Sequence, residues 1–177
     1  MANNQIENDY SNKEHVCALL KKLGIDFEIV EHPPIFTQAD SENRRIDIDA
    51  VIFKNLFLRN KNKSRYYLYS LPLAKRADLN AIAKTLGETR LSFGDEEKLQ
   101  EKLNIKHGAV SFLNVIGVES TDVTILIDKA VFDYNRIGVH PNDNTATVIL
   151  KLQDIQKILS ACEVEYMFIA PESSETL

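Results

Sequence analysis

The chain has 177 residues, 44% of them hydrophobic, a net charge of −5 and two cysteines. That length suits one domain with its own core, and the negative charge argues against nucleic-acid binding through bulk charge while leaving room for a local basic patch. No apolar run approaches the roughly 18 residues that span a bilayer, so no membrane association is expected.

In chain order, residues 1–10 lack the basic flank and apolar centre of a secretory signal and read as a flexible leader, which suits a cytoplasmic protein. Ser11 and Glu14 have capping-box spacing, Val16, Leu19, Leu20 and Leu23 recur at helical intervals, and Gly24 can end that helix. Residues 27–31 alternate as a strand, stopped by His32-Pro33-Pro34. Residues 37–49 are polar and predict a short helix and a loop. Two strand-like runs, 51–60 and 65–71, flank Lys61-Asn62-Lys63-Ser64 and predict a hairpin. Asp78 can cap a helix carrying Leu79, Ile82, Ala83 and Leu86, with Gly87 at its end. A short strand at 90–93 precedes a second capped helix opened by Asp95 and carrying Leu99 and Leu103. Residues 110–118 and 123–127 read as strands, and 129–134 as a helical turn. Extended runs at 136–140 and 145–150 surround the turn signal Pro141-Asn142-Asp143-Asn144. A helix near 152–162 and a strand at 165–169 follow. Irregular alternation with hairpins predicts an α/β mixed (α+β) fold: one domain over residues 11–171, a mixed β-sheet with packed helices, and a frayed tail at 172–177.

Three features stand out from that background. Lys54 lies in Val51-Ile52-Phe53-Lys54-Asn55-Leu56-Phe57-Leu58, otherwise a buried-looking strand. An ammonium there must pair, reach water or do chemistry; plain alternation with Lys54 facing solvent also accounts for it. Arg59, Lys61, Lys63 and Arg65 cluster around the hairpin tip, either as a solvated turn or as a polyanion contact, with Lys75 and Arg76 as additions. Residues 138–148 hold a polar turn dense in donors and acceptors, which can organise a site or merely turn the chain, His140 then capping a strand. Cys17 and Cys162 fall in helical contexts without metal spacing and read as buried thiols.

Taken together, Glu31-His32-Pro33-Pro34-Ile35-Phe36-Thr37, Lys54-Asn55-Leu56-Phe57-Leu58-Arg59, Tyr66-Tyr67-Leu68, Leu71-Pro72, Lys75-Arg76-Ala77-Asp78-Leu79, Gly108-Ala109-Val110-Ser111 and residues 138–148 resemble the YbaK-like prolyl-tRNA editing family of aminoacyl-tRNA deacylases. Within it they are most similar to the free-standing ProX-type alanyl-tRNA(Pro) deacylases. The matches keep the family's order over about residues 12–170. The resemblance implies a trans-editing hydrolase that cleaves the ester of a wrong amino acid on the acceptor end of tRNA(Pro), alanine foremost, without metal or other cofactor. Prolyl-tRNA synthetase is the implied protein partner. It places the catalytic role on Lys54 and substrate binding on Phe36, Thr37, Asn55, Ser111, Phe112 and His140 in a small cleft, with tRNA contact at Arg59, Lys61, Lys63 and Arg65, expected near the mouth of that cleft.

The chemistry is reasonable from first principles. An aminoacyl ester is activated, so water needs positioning and the developing oxyanion needs a nearby positive charge. No Ser/His/Asp arrangement is evident, so no covalent nucleophile is expected. The family usually carries glycine and threonine where this chain has Val51, Ile52 and Phe53, and proline, phenylalanine and glycine where it has Phe112, Leu113 and Asn114. The two bulky rings, Phe53 and Phe112, are expected to narrow the amino-acid pocket. A non-catalytic relative that binds tRNA or an aminoacyl group is the alternative.

Overall fold

A computed structural model of the chain describes residues 13–35, 49–105, 108–116, 118 and 121–172. The expected leader, most of the helix and loop at 37–49, and the tail beyond residue 172 lie outside the described residues, as do Phe36 and Thr37.

Helix α1 (Lys13–Lys22) buries Val16 and Leu20, and Gly24, at φ 64, takes the left-handed conformation that lets the chain turn away. Strand β1 (Phe27–Glu31) follows. The long strand β2 (Val51–Asn60) and β3 (Tyr66–Pro72) form the expected hairpin, in register from Phe53 opposite Pro72 to Arg59 opposite Tyr66. Helix α2 (Leu79–Leu86) begins where the Asp78 carboxylate accepts from the amides of Asn80 and Ala81, and ends at left-handed Gly87. Strand β4 (Leu91–Phe93) leads to α3 (Glu96–Leu103), capped by Asp95. The rest comprises β5 (Val123–Asp128), a 3-10 turn (Lys129–Asp133), β6 (Arg136–Val139), β7 (Ala146–Lys151), α4 (Asp154–Ala161) and β8 (Tyr166–Ile169).

The strands join in the order β1-β7-β6-β2-β3-β5-β8, with β4 added to β2. Parallel pairs (β6 with β2, β3 with β5, β5 with β8) mix with antiparallel ones. Side chains alternate between two faces. One face puts Phe53, Phe57, Leu68, Ile125 and Val139 against α1, α3 and α4; the other puts Leu58, Tyr67, Tyr69, Leu71 and Leu126 against α2. The fold is thus one mixed sheet with helices on both faces.

One element differs from expectation. Residues 110–118 form no strand among the described residues; they hold a 3-10 turn (Phe112–Val115) begun by a capping box in which Ser111 and Asn114 satisfy each other's backbone. Apolar continuity suggested a strand, but the three-residue spacing of two capping side chains decides the local structure.

Candidate active site

The site begins with an interruption in the sheet. One edge of β2 pairs with β3 along nearly its whole length. The other edge pairs with β6 only at Val51 and Ile52, and with β4 only at Leu58 to Asn60. Residues 53–57 stand between these two partners, and Lys54 and Asn55 lie in that gap. A strand edge left open inside a sheet offers backbone groups and side chains to whatever enters.

Alternation assigns the faces. Val51, Phe53, Ile137 and Val139 belong to the large core. Ile52 and Gly138 are paired on the opposite face; continuing that register by two residues sets Lys54 on β2 across from His140, just past β6. Beyond Ile52 and Gly138 the pairing ends, so the two residues stand on opposite lips of the opening. Lys54 is half-buried and, among the described residues, has no ion-pair or hydrogen-bond partner. Desolvation by burial lowers its pKa from the ordinary lysine value of 10.5. A cation so placed is costly for the fold and ready for an incoming negative charge.

Asn55 points the other way, into the opening's floor. Its Nδ2 donates to the Val110 carbonyl at 2.8 Å and its Oδ1 accepts from the Ser70 hydroxyl at 2.6 Å. Ser111 Oγ donates to the His140 carbonyl at 2.7 Å. The segment at 109–111 therefore bridges β2 and the 140–144 turn, closing the gap from behind. Phe112 has 0% exposure, and its ring packs 6.3 Å from that of Phe53; it supports the segment from the core and presents no open surface to a ligand. Asn55, Ser111 and His140 are thus linked, Lys54 stands on the lip opposite His140, and Phe112 lies beneath.

The His140 ring is oriented by its own turn. Nδ1 lies 2.9 Å from the Ala146 carbonyl, and a carbonyl only accepts, so Nδ1 carries the proton and Nε2 keeps a lone pair. Burial lowers the His140 pKa below its ordinary 6.5, and His32 adds to that; the two rings lie 6.0 Å apart. His32 is held by Thr147 Oγ1 at 2.9 Å and the Pro33 carbonyl at 3.0 Å. Asp143 stabilises the turn by accepting from the Thr145 amide and hydroxyl at 2.8 and 2.7 Å.

The basic cluster does not sit at the mouth of this opening. Seven residue steps, six of them along extended β2, separate Lys54 from Lys61, about 23 Å at a strand's rise per residue. Arg65 approaches Glu88 at 3.6 Å, and Arg59 Nε is buried without an acceptor among the described residues. Lys75 lies nearer, just beyond the β3 end that pairs with Lys54.

Two features were not singled out from the sequence. Asp128 is fully buried; it accepts from Tyr69 Oη, from Lys75 Nζ at 2.8 Å and from the Ala130 amide at 2.8 Å. Tyr69 is held protonated by burial and by that carboxylate. Asn114 links Ser111 to Asn142; its spacing from Ser111 was the available signal.

Known proteins bear on this arrangement. The family model for the aminoacyl-tRNA editing domain matches residues 32–158. A prolyl-tRNA editing protein ProX of Acetoanaerobium sticklandii is 38% identical over 155 residues, 86% of this chain and 93% of that protein. A prolyl-tRNA synthetase associated domain-containing protein 1 of Mus musculus is 32% identical over 139 residues, 76% of this chain and 82% of its own. A crystal structure provisionally described as a trans-editing enzyme for prolyl-tRNA synthetase superposes with a TM-score of 0.66 at 17% identity, covering 90% of this chain and 97% of that one; at that identity it speaks for the fold.

Proposed function

Because the chain belongs to the aminoacyl-tRNA editing domain family, we propose that it is a free-standing deacylase that removes wrongly attached alanine from tRNA(Pro) in trans. The observation that carries this reading is Lys54: a desolvated ammonium without a partner among the described residues, set in the gap of β2 across from His140.

In this reading the aminoacyl ester enters the gap with its carbonyl oxygen toward Lys54. Water adds to the carbonyl carbon, and the ammonium stabilises the oxyanion that forms. The intermediate collapses by breaking the bond to the ribose oxygen, which leaves with a proton as the terminal hydroxyl; the products are free alanine and tRNA(Pro). His140 Nε2, unprotonated at neutral pH, accepts a hydrogen bond from the attacking water or the ribose hydroxyl. Asn55 and Ser111 hold the floor; Phe36 and Thr37, the other residues proposed to bind substrate, lie outside the described residues. Phe53 and Phe112 stop the floor from receding, so alanine fits and the proline ring is excluded. Sterics suit that choice, because a pocket rejects a larger group far better than it distinguishes a smaller one by affinity.

Arg59, Lys61, Lys63 and Arg65 contact the acceptor stem away from its end, since a stem is long enough to span the distance to Lys54. The deacylated tRNA returns to prolyl-tRNA synthetase. Among the described residues no helix is long and apolar enough to cross a membrane, and the reading places the protein in the cytoplasm.

The test is a deacylation assay on alanyl-, cysteinyl-, seryl- and prolyl-tRNA(Pro). Alanyl-tRNA(Pro) should be cleaved and prolyl-tRNA(Pro) spared. Equal rates on the two would end the editing reading, and binding of tRNA with no hydrolysis of any substrate would establish a non-catalytic binding module instead.

A further inference from the structure

Asn114 is fully buried, yet its carboxamide is used from both ends. Oδ1 accepts from the Ser111 amide at 2.6 Å. Nδ2 donates to Asn142 Oδ1 at 2.7 Å and reaches the Ala109 carbonyl at 3.3 Å. The capping of Ser111 needs only the first of these. The second end crosses to the polar turn beyond β6, where Asn142 holds a left-handed backbone at φ 60 and keeps Nδ2 buried without an acceptor among the described residues. Asn takes that conformation more readily than other non-glycine residues, but an unmet buried donor has to be offset by the contacts around it. The bond from Asn114 is one such contact.

We infer that Asn114 is a positioning residue for the deacylation reaction, tying the segment at 109–111 to the turn at 140–142 and so fixing where Ser111 and His140 stand against a substrate. The connection continues on both sides. Ser70 holds Asn55, Asn55 holds the Val110 carbonyl, and Ser111 holds the His140 carbonyl. The chain of bonds runs from β3 through β2 and the floor to the far lip, and Asn114 braces its middle. A buried Nδ2 must be satisfied whatever the residue's role; what makes the tie is its acceptor, since the shorter of its two bonds goes to Asn142 on the turn and the longer to Ala109 of its own segment.

This inference rests on the deacylase reading, and its test separates the two. Asn114→Ala, Asn142→Ala and the double variant are compared with the wild type by kcat and KM on alanyl- and prolyl-tRNA(Pro), and by NMR titration of the His140 ring. Asn114→Ala should lower kcat/KM on alanyl-tRNA(Pro) roughly 10- to 100-fold, the range expected when a reacting group is displaced by about 1 Å. It should also narrow the preference for alanine over proline and move the His140 pKa back toward 6.5 as water enters. Asn142→Ala should act in the same direction, and the double variant should be little worse than the worse single one, since the two share the Asn114–Asn142 bond. Wild-type turnover, preference and His140 titration in the folded Asn114→Ala protein, with only a lower Tm, would overturn the inference; so would additive effects of the two variants. Should Asn114→Ala not fold, Asn142→Ala removes the same bond from the turn and decides alone. If the wild type cleaves no aminoacyl-tRNA, the deacylase reading fails, and the His140 titration then decides whether the tie exists.

Discussion

Two lysines flank the same stretch of sheet and have opposite surroundings. Lys75, just past β3, reaches a fully buried carboxylate: Asp128 accepts from it at 2.8 Å, with Tyr69 and the Ala130 amide as further donors. Lys54, on β2, is desolvated and meets no carboxylate among the described residues. Register places them close, because Lys54 pairs with Leu71 and the β3–β5 pairing carries on from Ser70 and Ile127 to bring Asp128 alongside Leu71. One charge is neutralised for the fold, and the other is left for a ligand. Burial alone would not distinguish them; the presence of a counter-charge does.

Substitution should split the two sites by the property each loses. Lys54→Ala should leave Tm nearly unchanged, or raise it, and lower deacylation about 100- to 1,000-fold, the usual effect of removing a well-placed stabiliser of an oxyanion. Asp128→Ala should do the reverse. It strips the acceptor from Tyr69, Lys75 and a backbone amide, which costs about 2–4 kcal/mol of stability after allowance for Lys75 being 36% exposed, while the folded fraction keeps its turnover. Thermal unfolding and single-turnover kinetics on both variants check this. Full activity in Lys54→Ala would make that lysine a structural residue and undo the contrast.

Acidity sharpens the same contrast through its sign. The folded pKa of Lys54 lies below 10.5, so the unfolded chain holds that proton more tightly. Stability from this group therefore rises with pH between the folded value and 10.5, while activity that needs the ammonium falls across the same window. His140, lowered below 6.5, sets the acid side: the unfolded chain takes up its proton near 6.5 and the folded one only at lower pH, so stability declines as pH falls below 6.5 and turnover declines at the lower pH where the folded ring is protonated. The enzyme-dependent rate, after subtraction of spontaneous ester hydrolysis, should be bell-shaped with its alkaline limb below 10.5. Lys54→Arg, whose charge does not titrate in this range, should lack that limb; an unchanged limb would assign it to another group.

How much of this was legible in the sequence depends on how local the deciding interaction is. The hairpin, the Asp78 and Asp95 caps and the glycine that ends α2 follow from short-range rules and stand as read. The turn at Phe112–Val115 is hidden in the sequence because the apolar continuity of residues 110–118 predicts a strand, while the spacing of Ser111 and Asn114 that decides the structure is a weaker signal. Lys54 is conspicuous as a charge in an apolar run, whereas His140 joins it in the sequence only through the family resemblance; the residue pattern by itself does not show the parallel pairing of β2 with β6 that sets the two across the gap. Asp128 and Lys75 are 53 residues apart in sequence, and only the β3–β5 pairing joins them. The distance between Lys54 and the basic cluster was in principle available, since a strand's length follows from its residue count; the cluster was nonetheless expected at the mouth.

The smallest effect is expected at that cluster, and its position explains why. Lys61 and Lys63 are exposed at the tip of the hairpin, without an ion pair among the described residues, whereas Arg65 is partly engaged by Glu88 at 3.6 Å. About 23 Å from Lys54, they can neither stabilise the oxyanion nor touch the terminal ribose; what remains to them is the phosphate backbone further along the stem. Reversing both charges, Lys61→Glu with Lys63→Glu, should raise KM for full-length alanyl-tRNA(Pro) several-fold at low salt and leave kcat alone. If each lysine meets one phosphate, the slope of log affinity against log salt should fall by about 2. Hydrolysis of a minimal alanyl-nucleotide, too short to reach the hairpin, should not change. A double variant with the wild-type salt slope would make the tip a solvated turn. One that slowed the minimal substrate as well would mean that the strand transmits a change to Lys54, and the separation between the two ends of β2 would no longer hold.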